Sequence, residues 1–129
     1  MKQITDTSDV ADALVAKRGL LFISVAWSGY VAQSAAVVNS VIAKWNDDPT
    51  NDRLNVLSVD LSDQQGPLWD TVANWLTSQD VDDQLQIRIM HGGYGALLWI
   101  LNGEMTHYST YPAHDGADSL LGTIRSWVG

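Results

Sequence analysis

The stretch Ser24 to Val38, SVAWSGYVAQSAAVV, has the outline of a reactive turn: an apolar strand, then Trp27, a small residue, Gly29, and a helix. The residue placed to do chemistry there is Ser28. A nucleophilic Ser wants a base within hydrogen-bond reach, and the nearest His in sequence, His91, is far along the chain. The plainer role for Ser28 is as an N-cap, which Ser performs well. His91, His107 and His114 follow no zinc-ligand spacing. Asp80, Asp82 and Asp83 suggest calcium, but the Gly and distal Glu of an EF-hand loop are missing. No metal and no cofactor is expected. The chain has no cysteine, which excludes disulfides, thiolate catalysis and thiolate–metal sites.

Composition narrows the class. At 129 residues with 46% hydrophobic residues, the chain is expected to form a single domain, 1–129, with a real core. The formal net charge is −8, and Glu104 is the only Glu. Phosphate binding needs a basic stripe, so nucleic acid is not an expected partner. The apolar runs Leu20–Ile23 and Ala96–Leu101 are too short to cross a bilayer, so no membrane association is expected. Met1-Lys2 leads into polar residues rather than an apolar run, and the cytoplasm is the expected compartment.

The elements that position these residues follow from the apolar pattern. Val10, Ala11, Ala13 and Leu14 predict a first helix, with Lys17 and Arg18 in its last turn and Gly19 as its C-cap. LLFISVA, Leu20 to Ala26, reads as a strand covered on both faces. Ala32 to Trp45 reads as a helix and Leu54 to Ser62 as a second strand. A helix follows Gln65-Gly66-Pro67, with Leu68, Val72, Trp75 and Leu76 on its apolar side. The alternation in LQIRIM, Leu85 to Met90, suggests a short strand. ALLWIL, Ala96 to Leu101, is a strand. Asn102-Gly103 signals a type I′ hairpin returning through Glu104 to Thr110. Ala117, Leu120, Leu121, Ile124, Trp127 and Val128 form the stripe of a closing helix, capped by His114 or Asp115. Helical crossovers between apolar strands imply parallel pairing, and the hairpin adds an antiparallel edge.

That order, with the local sequence, resembles the thioredoxin-like superfamily. LLFISVAWSGYVAQ resembles the family's strand, Trp-Cys-Gly-Pro-Cys loop and helix. LNVLSVDLS is similar to the next strand, and GYGALLWILNGE to the Gly-Ile-Pro-Thr strand and its Asn-Gly-Glu turn. The resemblance implies an α/β thioredoxin-like fold, a central mixed β-sheet flanked by helices on both faces. One departure is the longer segment between the second strand and GYGA. The family's active site is erased. Ser28 stands for the attacking Cys, Tyr30 for the Pro, Val31 for the resolving Cys and Gly95 for the cis-Pro. Phe22 falls where many members bury a proton-accepting Asp, and Ser58 where they place its Lys partner. Exchange needs an attacking thiolate and a resolving thiol, so a redox-inactive member is expected. Insulin reduction above the uncatalysed rate would contradict this.

The resemblance also places Trp27, Ser28, Gly29, Tyr30, Val31, Tyr94 and Gly95 around one groove at the former active site. Exposed aromatics there imply a protein or peptide partner, unless the segment 66–92 folds over them. Gly95, with no Cβ, is expected to let a partner's backbone approach. The alternative is a Ser28-dependent or glutathione-binding enzyme, since some glutathione transferases share this fold and use a Ser to activate glutathione.

Overall fold

The computed structural model describes residues 1–128. Strand β1, Lys2–Gln3, leads to helix α1, Thr7–Leu14. Strand β2, Arg18–Ser24, is followed by helix α2, Gly29–Asp47, and strand β3, Val56–Asp60. Helices α3, Pro67–Ser78, and α4, Asp83–His91, precede the hairpin of β4, Ala96–Leu101, and β5, Glu104–Ser109. A short helix α5, Pro112–Asp115, and helix α6, Ala117–Val128, close the described chain.

The sheet order is β1-β3-β2-β4-β5. β2 lies at its centre, parallel to β3 and antiparallel to β4. The alternation of side chains across a strand divides the core into two layers. Leu21 and Ile23 of β2, with Leu98 and Ile100 of β4, face α1, α3 and α4. Leu20, Phe22, Leu97 and Trp99 face α2 and α6. The hairpin has the expected geometry, with φ of 53° at Asn102 and 78° at Gly103.

Four expectations are corrected. Residues 85–90 are helical, not a strand: they lie in α4. Leu85, Ile89 and Met90 turn inward while Ile87 is exposed, a helical rather than two-residue repeat. The Asp82 carboxylate accepts the Leu85 N–H at 2.7 Å and starts this helix. Replacing Asp82 by Ala is expected to cost about 1 kcal/mol, measured by urea denaturation; an unchanged midpoint would show that α4 does not depend on this cap.

The first helix ends at Leu14, so Lys17 and Arg18 are not in its last turn and Gly19 is no C-cap. The hairpin takes that segment instead: Asn102 and Gly103 donate to the carbonyls of Lys17 and Ala16 at 2.8 and 3.0 Å. Neither His114 nor Asp115 caps α6. Gly116, at φ 87°, intervenes, and its carbonyl accepts the Leu120 N–H. The α2 helix runs past both ends of 32–45, because the turn itself is its N-terminus. The two-residue β1 and four-residue α5 carry too little periodicity to be read from sequence.

Asp6 caps α1, accepting from the Ser8 N–H at 2.9 Å. The Ser8 backbone and side-chain hydrogen bonds hold its carboxyl below the ordinary range. A depressed folded-state pKa contributes stability above the unfolded value, so this cap weakens as pH falls. No described helix is long and apolar enough to cross a membrane.

Candidate functional site

The turn sits at the C-terminal ends of β2 and β3, the usual place for a site in an open α/β sheet. A short relay holds it. The Ala26 N–H donates to Ser62 Oγ at 2.6 Å, and the Ser62 hydroxyl donates to the Asp60 carboxylate. Asp60 thereby ties the end of β3 to the residue before Trp27.

Ser28 occupies the N-cap position of α2 with extended backbone, but its side chain makes no cap hydrogen bond. Its hydroxyl donates instead to the Gly93 carbonyl. This clamps the turn to the segment between α4 and β4. A carbonyl is not a base, so this contact does not activate the oxygen as a nucleophile. His91 packs its ring on Trp69, with centroids 4.7 Å apart. Replacing Ser28 by Ala is expected to lower stability by about 1 kcal/mol, read from the denaturation midpoint. An unchanged midpoint would show that the clamp contributes nothing.

The expected groove residues separate into two groups. Trp27, Tyr30 and Tyr94 are exposed, at 56%, 51% and 40% of their surface. Gly29 is open, with no atom within 4 Å of where a Cβ would stand. Val31 and Gly95 are buried. Val31 is on the inward side of α2 and joins the core under β2. The expectation that Gly95 admits a partner's backbone is corrected. Gly95 has φ 77°, and a Cβ there would lie 2.6 Å from the Phe22 ring and 3.3 Å from Ser34 Cβ. The space left by the missing side chain is filled from inside by Phe22.

The segment 66–92 does not bury the turn. Its helices α3 and α4 join the core layer on the face opposite α2. Trp27 lies over Gly93, whose Cβ would meet the indole at 2.9 Å.

Sequence reasoning missed Tyr111. It sits just before α5, half-buried, and stacks on Tyr94 with centroids 4.4 Å and planes 20° apart. Tyr30 meets both rings, at 5.2 Å from Tyr94 and 6.1 Å from Tyr111. His114 stands 5.7 Å from Tyr111. Buried Ser34 positions this part: its Oγ accepts the Ala113 N–H at 3.2 Å, tying α5 to α2. At the other end of α5, the Ser109 hydroxyl donates to Asp115. The result is a ledge of three mutually contacting tyrosines beside Trp27.

The three histidines lie on separate elements. His91 is against Trp69, His107 is on β5 near Trp99, and His114 is beside Tyr111. Among the described residues no group of three His, Cys, Asp or Glu is placed to hold a metal ion. The Asp80–Asp83 stretch lies at the α3–α4 junction, where Asp82 acts as a cap.

No family model matches the sequence. No curated protein matches it significantly. Among solved structures, human ERp44 in its crystal form I is similar in fold, with a TM-score of 0.60 over 98% of this chain at 13% identity. This chain spans 29% of the length of that protein. The sheet order, the helices on both faces and this likeness agree: the chain has a thioredoxin-like fold, and it carries that fold without a single cysteine.

Proposed function

We propose that this chain is a redox-inactive thioredoxin-like binding module whose contact surface for a protein or peptide is the ledge of Trp27, Tyr30, Tyr94 and Tyr111. The observation that carries this reading is the exposure of Trp27, Tyr30 and Tyr94 at the turn, with the tyrosine rings in mutual contact. Exposed aromatics gathered on a rigid support mark interaction sites more often than scattered ones do. Tyr and Trp offer large area at low entropic cost and dominate interface hot spots, at about 2 kcal/mol or more each. A cytoplasmic location is part of the same proposal, and fractionation of the native source checks it.

The test is selection from a random peptide library on the immobilised full chain. Peptides should be enriched that lose about tenfold or more in affinity, about 1.4 kcal/mol, when Tyr94 is replaced by Ser. Circular dichroism and the thermal midpoint of the variant confirm that it folds. No enrichment, or binding equal in Tyr94→Ser, would overturn the proposal.

A further inference from the structure

The strand directions gather the basic residues, though not the acidic ones, at one end of the molecule. The ledge is at the end formed by the finish of β2, β3 and β5 and the start of β4. Asp60 is the last residue of β3, in register with Ser24. Asp63 follows it, and Asp70 lies in the first turn of α3. Asp115 is held at the end of β5 by Ser109, and Asp118 is in the first turn of α6. All five belong to the ledge end.

Acids are as numerous at the hairpin end, where Asp47 and Asp48 finish α2, Asp52 meets Arg18, Asp80, Asp82 and Asp83 join α3 to α4, and Glu104 opens β5. Six of the seven Lys and Arg, however, lie there with them. Lys17 and Arg18 precede or begin β2, and Arg18 is in register with Leu101 beside the hairpin. Lys44 and Arg125 are in the last turns of α2 and α6. Arg53 precedes β3, and Lys2 pairs with Leu57 in its first half. Arg88, in the last turn of α4, is the exception at the ledge end. The Arg18–Asp52 ion pair, at 3.7 Å, lies at the hairpin end as well.

An exposed aromatic surface at the end where the carboxylates face a single basic residue is complementary to one chemistry. Cationic side chains are attracted to the faces of Tyr rings and to the surrounding carboxylates together. We infer that the occupant of the ledge is an extended basic segment of a protein, its Arg or Lys side chains lying across the rings of Tyr30, Tyr94 and Tyr111 within the field of the carboxylates at this end of the molecule. This rests on the proposed binding surface and specifies its partner. Arg suits the site best, because its planar guanidinium stacks on aromatic rings.

The same library separates the two claims. Peptides that depend on Tyr94 should be rich in Arg and Lys, and replacing those residues by Gln should weaken binding about tenfold or more. Raising the salt from about 0.1 M to about 1 M shortens the screening length from about 10 to about 3 Å, and should weaken binding several-fold. Asp63→Asn with Asp118→Asn should do the same, whereas Glu104→Gln at the hairpin end should not. Tyr94-dependent peptides without basic residues, or indifferent to salt, would overturn this inference and leave the binding surface standing. Basic peptides that bind Tyr94→Ser as well as the natural chain would also overturn it, as mere attraction to an acidic protein. An unenriched library would remove the surface and this inference with it.

Discussion

Replacing Phe22 by Asp is expected to leave the chain largely unfolded at neutral pH. Phe22 is 1% exposed at the centre of β2, between Leu97 on β4 and Ser58 on β3. Truncating a buried Phe costs about 3–5 kcal/mol. Burying a carboxylate without a partner adds several more. The sum reaches the whole stability of an ordinary domain, about 5–15 kcal/mol. In thioredoxin-like proteins that bury an Asp here, the resemblance implies a Lys partner; this chain offers Ser58 instead.

The pH dependence of that variant has a definite sign. Burial raises a carboxyl pKa above its unfolded value. The neutral acid is tolerated better than the ion, so the penalty is smallest below the unfolded pKa and grows as pH rises. Urea denaturation at acid and neutral pH reads this difference. Phe22→Leu, which keeps the site apolar, should cost only about 1–2 kcal/mol. A Phe22→Asp protein with the natural midpoint at neutral pH would mean that Phe22 is not packed as described.

The second large effect is expected at Gly95. Its φ of 77° lies in the left-handed region, which costs an L-residue about 1–2 kcal/mol. A Cβ would also lie 2.6 Å from the Phe22 ring, and overpacking of this kind costs about 1–3 kcal/mol. Gly95→Ala should therefore lose about 3 kcal/mol in chemical denaturation. Gly95→Pro should lose more, because Pro fixes φ near −65°. Combining Gly95→Ala with Phe22→Leu should cost less than the two singles together, since the smaller side chain relieves the clash. Gly29→Ala is the control: open space surrounds its Cβ position, and it should be neutral or slightly stabilising. An equal loss at both glycines would show that general chain entropy, not the contact with Phe22, is responsible.

These two positions explain each other. Where the family's proton-relay Asp would stand the chain has a larger ring, and where its cis-Pro would stand it has no side chain. The Phe22 ring fills the place where a Cβ at Gly95 would stand, so a side chain at 95 has no room in a close-packed interior. Introducing the Asp or the Pro that the resemblance implies, one at a time, is therefore expected to damage the protein. The turn keeps its shape through contacts of its own, the Ser28–Gly93 clamp and the Ala26–Ser62–Asp60 relay.

Thiol chemistry is settled by composition alone, because no folding event supplies a sulfur nucleophile to a chain without cysteine. The order of apolar strands and amphipathic helices was legible for a related reason. Burial by two layers forces unbroken apolar runs such as Leu20–Ile23, and a type I′ turn needs residues like Asn102-Gly103 that accept positive φ. Other features depend on contacts between distant segments. Leu85 to Met90 fits both a strand and a helix repeat until the direction of the core is known. Tyr111 joins Tyr30 and Tyr94 through the packing of α5 on α2, where Ser34 accepts the Ala113 N–H. Val31 turns inward, and Gly95 is filled from behind by Phe22, for reasons of packing that no local pattern records. The gathering of the bases at one end is likewise invisible in a chain where acids and bases are interleaved. Strand direction produces it, since parallel β2 and β3 begin beside Lys17, Arg18 and Arg53 at one end and finish beside the aromatic turn at the other.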